Sequence, residues 1–201
     1  MNILIKFIII ISLSSCSTLN IFVKSDSLNE QITDKFFYNS LEDEVLLVAF
    51  SKKESTLFKL TKTDKYKKTW SDGIRSIETI NGKIISSYKF KNNIKLIANA
   101  FTDEFFYKEI LINTNIRIFS DFRDSNYLHI QYLNSNAGNK NYINAKGRSI
   151  NTTLYKERYE VRDIKWEGDN LYWINKEGEV VKSKQSLSPF GPTLLIDHIK
   201  K

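Results

Sequence analysis

From residue 45 onward the apolar residues recur every second position, in short runs broken by turn residues. No chain with that pattern can be mostly helical. "EILINTNIRIF" is the clearest run, with Ile110, Ile112, Thr114, Ile116 and Ile118 on one side and Asn113, Asn115 and Arg117 on the other. A period of two is that of a half-buried strand, whose successive side chains point to opposite faces. "EVLLVAF" is a continuous apolar run, as expected of a strand covered on both faces. "STLFKLT" follows it across the loop "SKKE", and "YKKTW" is a further short strand candidate. "IETINGKIISSY" places Asn81-Gly82 between two strand-like runs. Asn-Gly favours the type I′ hairpin turn, which needs positive φ at both central residues. In its second arm Ile84, Ser86, Tyr88 and Phe90 fall on one face. "YLHIQYL" is another strand, "NSNAGNKN" reads as a turn cluster, and strands near 150–155 and 158–166 follow. "WEGDNLYWINKEGEVVKS" reads as a hairpin with Lys176-Glu177-Gly178 at its tip and with Leu171 and Trp173 facing inward. The expectation is a mainly β domain of about nine to ten antiparallel strands, either a sandwich or an open barrel. Residues 91–107 are ambiguous.

One helix is expected, ahead of the strands. In "SLNEQITDKFFYNS" Ser27 and Glu30 make a capping-box pattern, and Leu28, Ile32 and Phe36 recur every fourth residue, with Phe37 widening the stripe. It is an amphipathic helix of about three turns.

The first residues are of another kind. Lys6 precedes an apolar run, Phe7 to Leu13, too short for a membrane-spanning helix of roughly 20 residues. Leu13-Ser14-Ser15-Cys16 then resembles the bacterial lipoprotein box, and Cys16 is the only cysteine of the chain. A thiolate there is the nucleophile that accepts a diacylglyceryl group. Residues 1–15 are therefore expected to be a signal peptide, 16–26 a lipidated tether and 27–201 one β-rich domain. Acylation at both the sulfur and the new α-amine would make a lasting anchor, since two or more chains hold a protein firmly. Ser17, rather than Asp, after the cysteine fits sorting to the outer membrane, with the domain on its periplasmic face. Without a further cysteine the mature chain has neither a disulfide nor a cysteine-based metal site.

The net charge of +7 falls to +6 without Lys6. The basic residues are scattered among acidic ones, so no dedicated nucleic-acid surface is expected. Catalytic motifs are also missing. The two histidines, His129 and His198, form neither an HExxH nor a pair, and His198 lies in a segment expected to fray. No GxSxG, GxxxxGK[ST] or GxGxxG occurs. Glu42-Asp43-Glu44 and Asp103-Glu104 could serve as paired carboxylates, but adjacency in sequence does not bring two acids to opposite sides of a sugar. Solvated loop charge is the simpler reading. No catalytic residue, metal or cofactor is expected. Trp70, Trp166, Tyr172 and Trp173 have apolar faces able to stack on sugar rings, although large aromatics in a small β domain more often fill the core.

The C-terminal third carries a pattern with a resemblance. Asn170, Tyr172, Trp173, Gly178, Val180, Ser183 and Gln185, in "DNLYWINKEGEVVKSKQSLSP", are similar to the signature of the group 4 capsule polysaccharide lipoproteins, the GfcB/YjbF family. "EVLLVAF", "TINGKIIS" and the helix after the lipobox fit the same family, so the likeness runs from about residue 28 to the end. It departs at Ser188-Pro189-Phe190-Gly191-Pro192, where the family usually has a Gly sooner, which leaves the path of the tail open. The resemblance implies an outer-membrane lipoprotein acting in export or assembly of surface polysaccharide. It brings no catalytic residues. The implied partners are the membrane, polysaccharide-secretion proteins and the polysaccharide itself, with Trp70, Trp166, Tyr172 and Gln185 as candidate contacts. Asn170 and Gly178 have a structural reading as turn residues, and Ser183 and Gln185 could satisfy buried backbone groups or line a cleft.

Overall fold

Each strand carries backbone N–H and C=O groups along both edges, and these call for neighbours. In the computed structural model, which describes residues 44–51, 54–90, 93–97, 111–120, 123–144, 147–189 and 191–200, the strands do so by closing a ring. The described residues contain twelve strands: β1 (Val45–Ala49), β2 (Ser55–Asp64), β3 (Lys67–Ser71), β4 (Ser76–Ile80), β5 (Lys83–Tyr88), β6 (Asn93–Ile97), β7 (Leu111–Ser120), β8 (Arg123–Ile143), β9 (Ser149–Val161), β10 (Trp166–Ile174), β11 (Val180–Ser186) and β12 (Thr193–Ile199). Each pairs antiparallel with the next, and β12 returns to β1, Val45 opposite Ile199 and Val48 opposite Ile196. The mainly β, antiparallel character expected from the sequence holds. The expected sandwich or open barrel of nine to ten strands is replaced by a closed barrel of twelve. Closure removes the exposed edges that an open sheet must otherwise protect. The helix expected over residues 27–39 lies outside the described residues, as does Cys16.

Several local expectations change. The tail does not fray. After a short turn in which the Gly191 N–H donates to the Ser188 carbonyl at 3.2 Å, it becomes the closing strand β12. "NSNAGNKN" is not a turn but part of β8. Gly138, at φ +90°, sits where the register with β9 shifts between Asn136 and Asn139, and the Asn136 side chain accepts the Gly138 N–H at 2.8 Å. The pattern carried the residues of a bulge, not of a reversal. The reversal comes at Asn144–Arg148, where Gly147 has positive φ. A second register shift, between Glu78 and Thr79, makes Ile85 an extra residue on β5, so Ile84 pairs with Thr79 and Ser86 with Glu78. The face expected to hold Ile84, Ser86 and Tyr88 is therefore broken: Ile84 and Ser87 are buried and Tyr88 is exposed.

Pairing partners share a face, so the inward residues can be followed around the ring. Leu46 and Val48 of β1 lie opposite Phe58, Ile196 and His198. The same face continues through Trp70, Ile77, Ile130, Tyr132, Tyr159 and Tyr172. These large side chains fill the interior, so the barrel has a packed core, and burial of each apolar residue adds about 1.5–3 kcal/mol. Tyr172, not Leu171 or Trp173, points inward. Trp173 faces outward opposite Lys182, contrary to the inward direction expected from its neighbour Leu171.

The two ends of the barrel differ. At the end holding the β1–β2 and β3–β4 turns, Phe50, Phe58 and Phe90 pack with ring centroids 5.8–6.5 Å apart. The Arg75 guanidinium lies 4.1 Å from the Phe50 ring and donates to Asp72 at 2.8 Å. This end is plugged. Among the described residues the opposite end has no such plug. Beside it, the tip of the β8–β9 hairpin extends past Thr153, the last residue of β9 paired to β10. It brings Tyr142 against the outer side of the barrel, where Lys182 Nζ lies 4.8 Å from the Tyr142 ring and 3.7 Å from Asp197 Oδ1.

Candidate functional site

The open end is built by turns. The β4–β5 reversal is Asn81-Gly82, with φ of +47° and +77°, the positive values that a type I′ turn needs. The β10–β11 reversal is fixed by Asn175, which accepts the Glu179 N–H on its side chain at 2.8 Å and the Gly178 N–H on its carbonyl at 3.0 Å. Lys65 and Tyr66 form the β2–β3 reversal, with Lys65 at φ +52°. Glu44 precedes β1, and His198 and Lys200 end β12. Together these elements surround a cavity of about 250 Å³ whose inner wall includes Trp70, Thr79 and Val180. Gly82 packs so closely on Val180 that a Cβ there would stand 2.6 Å from the Val180 Cβ.

The walls of this mouth are tied to the interior by a buried polar cluster. Lys83, the first residue of β5, turns inward and forms an ion pair with Glu157 of β9, and the two side chains are 3% and 1% exposed. The Lys83 ammonium also lies 3.6 Å from the centre of the Tyr132 ring, a cation–π contact. Glu157 Oε2 accepts from Asn170 Nδ2 at 2.8 Å and from the Tyr172 hydroxyl at 3.0 Å. Gln185 completes the cluster. Its amide oxygen accepts the Ile84 N–H at 2.8 Å, and its amide nitrogen donates to the Gly82 carbonyl at 2.8 Å and to Ser183 Oγ at 2.9 Å. Asn170 Oδ1 accepts the Ser186 N–H at 2.8 Å. Burial drives the Lys83 pKa down to about 8 despite the opposing pull of Glu157. Burial, and then the Glu157 charge, push Tyr132 and Tyr172 well above the ordinary phenol value. Both phenols stay protonated at neutral pH, and that of Tyr172 acts as a neutral donor.

Asn170, Tyr172, Ser183 and Gln185 thus meet in one network that spans β10, β11 and the Asn81-Gly82 hairpin, more than 80 residues away in the chain. Asn170 sits within β10 and serves that network, not a turn as expected for it. Of the residues singled out as possible contacts, Trp70, Tyr172 and Gln185 are 0%, 0% and 2% exposed. The Trp70 indole N–H donates to Thr79 Oγ1 at 2.9 Å. Trp166 is half-buried, with its ring centroid 4.4 Å from that of Tyr159. Asp103 and Glu104 lie outside the described residues. Glu44 is engaged by the Lys68 ammonium at 2.6 and 2.8 Å. His129 is exposed on β8. Among the described residues no three His, Cys, Asp or Glu side chains converge as a metal site.

His198 was not legible as a site residue. Its ring stands edge-on to Trp70, with centroids 6.2 Å apart, and its Nε2 is enclosed without a hydrogen-bond partner among the described residues. Burial, reinforced by the charges of Lys68 and Lys200, lowers its pKa to about 3, so the imidazole is neutral at physiological pH. The available signal was phase: Leu194, Ile196 and His198 alternate, so an inward strand places the histidine inside.

The family model described as group 4 capsule polysaccharide lipoprotein GfcB, YjbF matches residues 22–199. Among solved structures, the crystal structure of the hypothetical lipoprotein YmcC from Escherichia coli (K12) is similar, with a TM-score of 0.74 at 17% identity. The alignment covers 94% of this chain and 98% of that one, a likeness of fold. A search of the curated proteins finds no match.

Proposed function

The chain belongs to the group 4 capsule polysaccharide lipoprotein family, and from that premise we propose a non-enzymatic accessory role in the export or assembly of capsule or exopolysaccharide. In this reading lipids on Cys16 hold the protein at the periplasmic face of the outer membrane, and the β-barrel binds a secretion component or the polysaccharide. Tethering does the mechanistic work. A weak affinity becomes effective because anchoring fixes a high local concentration next to the export path.

The observation that carries the proposal is the fate of the motif residues. Asn170, Tyr172, Ser183 and Gln185 spend their polar groups on one another, on Glu157 and on the backbone of the β4–β5 turn. Such a motif builds a rigid mouth, which is what a binding scaffold requires. The two carboxylates on its wall, Glu44 and Glu179, are held by the ammonium groups of Lys68 and Lys200, an arrangement that favours ligand contact over acid–base work.

The test is replacement of the native gene by the Cys16→Ala form, with surface polysaccharide quantified and the location of the protein followed by membrane fractionation. The expected result is loss of the protein from the outer membrane and a fall in exported polysaccharide. Unchanged export from cells lacking the protein altogether would refute the role. Affinity capture of the anchored wild type, followed by identification of co-purifying outer-membrane proteins and glycans, names the partner.

A further inference from the structure

We propose that the open mouth of the barrel is a carbohydrate subsite that receives one carboxylate-bearing sugar unit, a uronic acid, of a polysaccharide chain. This inference rests on the accessory reading above and names the ligand chemistry of its binding face.

Four observations lead to it. The first is shape. One barrel end is plugged by Phe50, Phe58 and Phe90, and the other holds a cavity of about 250 Å³. That is below the roughly 300–1,000 Å³ of pockets for drug-sized ligands and suits a single sugar ring. The second is the mixture of hydrogen-bonding groups. Lys68 and Lys200 donate, Glu44 and Glu179 accept, and Asn81 does both, all within one rim. A sugar hydroxyl both donates and accepts, so it is served by such a mixture. The exposed Tyr66 ring stands on the same rim and offers an apolar face to the C–H side of a pyranose.

The third observation is an orphan. His198 Nε2 is enclosed at this mouth with no hydrogen-bond partner among the described residues, and a buried polar atom left so is costly until something bonds to it. The neutral ring can meet a hydroxyl as donor or acceptor according to its tautomer. The fourth is charge. Lys68 is paired with Glu44 and Lys200 with Glu179, while Lys65, on the exposed β2–β3 turn, has no carboxylate partner among the described residues. Among the described residues of the rim three ammonium groups face two carboxylates, so one negative charge on the ligand balances them. A neutral hexose leaves that charge unmet.

The experiment uses the full-length lipidated protein in detergent micelles, with ¹³C-labelled histidine and ¹H–¹³C spectra of the imidazole signals. D-Glucuronate, D-glucose and acetate are titrated separately. Glucuronate is expected to shift the His198 signals saturably while His129 stays still. Glucose should bind roughly tenfold more weakly, as loss of one charge-assisted contact implies, and acetate should leave His198 unmoved. Lys65→Asn, chosen because asparagine tolerates positive φ, should bring glucuronate down to the affinity of glucose and leave glucose unchanged. Equal affinity for glucose and glucuronate, or indifference of glucuronate binding to Lys65→Asn, overturns the uronate assignment. Silence of His198 towards both sugars overturns the subsite altogether. If His198 is silent while the Cys16→Ala strain loses export, the subsite falls and the accessory role stands. If glucuronate binds and cells without the protein export normally, the subsite stands and the accessory role falls.

Discussion

The buried Lys83–Glu157 pair makes a demanding prediction, because its two halves must fail in different ways. Lys83→Met keeps the stem of the side chain and removes the ammonium. Glu157, 1% exposed, then holds an uncompensated charge with only Asn170 Nδ2 and the Tyr172 hydroxyl as donors. Breaking a buried pair in this way costs about 3–5 kcal/mol, and the lost contact with the Tyr132 ring adds up to about 2 kcal/mol. Glu157→Gln keeps an oxygen for Asn170 and Tyr172 but strands the lysine. Its pKa, already about 8 in the native pair, falls further without the carboxylate. Releasing that proton at neutral pH costs about 1.36 kcal/mol for each unit between the pH and the unfolded value of 10.5.

The pH dependence separates the two variants. In Glu157→Gln the unfolded chain binds more protons than the folded one above neutrality, so stability rises with pH and the penalty shrinks towards pH 10.5. Lys83→Met has no lysine to titrate, so this alkaline recovery is absent from it. The double variant removes both charges and should cost less than either single change, with a coupling energy of about 2 kcal/mol or more. Urea unfolding of all four proteins across the pH range, with a constant m-value, measures this. Additive penalties, or a Glu157→Gln penalty that does not shrink as pH rises, would refute the buried pair.

Three further outcomes follow from the same geometry. His198, at about 3 when folded against 6.5 when unfolded, leaves the unfolded chain with more protons between those values, so stability should rise with pH across that window. The loss at about pH 5 is up to about 2 kcal/mol, reduced by the partial accessibility of the ring, and His198→Phe should flatten the acid limb of an unfolding curve. Gly82→Ala meets both a φ of +77° and the side chain of Val180 at 2.6 Å, and should cost about 2 kcal/mol or more in thermal unfolding, with part of the loss recovered by Val180→Ala. Gln185→Leu strands the Ile84 N–H and the Gly82 carbonyl, which should cost about 1–3 kcal/mol each and speed hydrogen exchange at the Ile84 amide.

The strands were legible where a single period ran without interruption, as in "EILINTNIRIF" and "EVLLVAF", and the Asn81-Gly82 turn was legible because few residue pairs accept its backbone. What escaped has a common cause. A bulge shifts the phase by one residue, and after it every inside–outside assignment is reversed. Ile85 broke the expected face of Ile84, Ser86 and Tyr88 in this way, and Gly138 made a long strand look like a reversal. Glu157 did carry a signal: it sits between Tyr155 and Tyr159 at the inward phase, an anomalous place for a carboxylate without a cation. Which cation answers it depends on which strands become neighbours, and alternation does not encode that. The mouth is less legible still, since Lys65, Asn81, Glu179 and His198 come together only when the ring is complete.

That completion has a cost in time. β12 follows the other eleven described strands, yet it alone joins β1 to β11. Until residues 193–199 have emerged and docked, the backbone donors and acceptors of both flanking strands stand open to any passing polypeptide. A ribosome that stops short of Thr193, or a protease that clips the tail, would release a sheet with two adhesive rims, and the cell envelope would meet it as a substrate for chaperones and degradation.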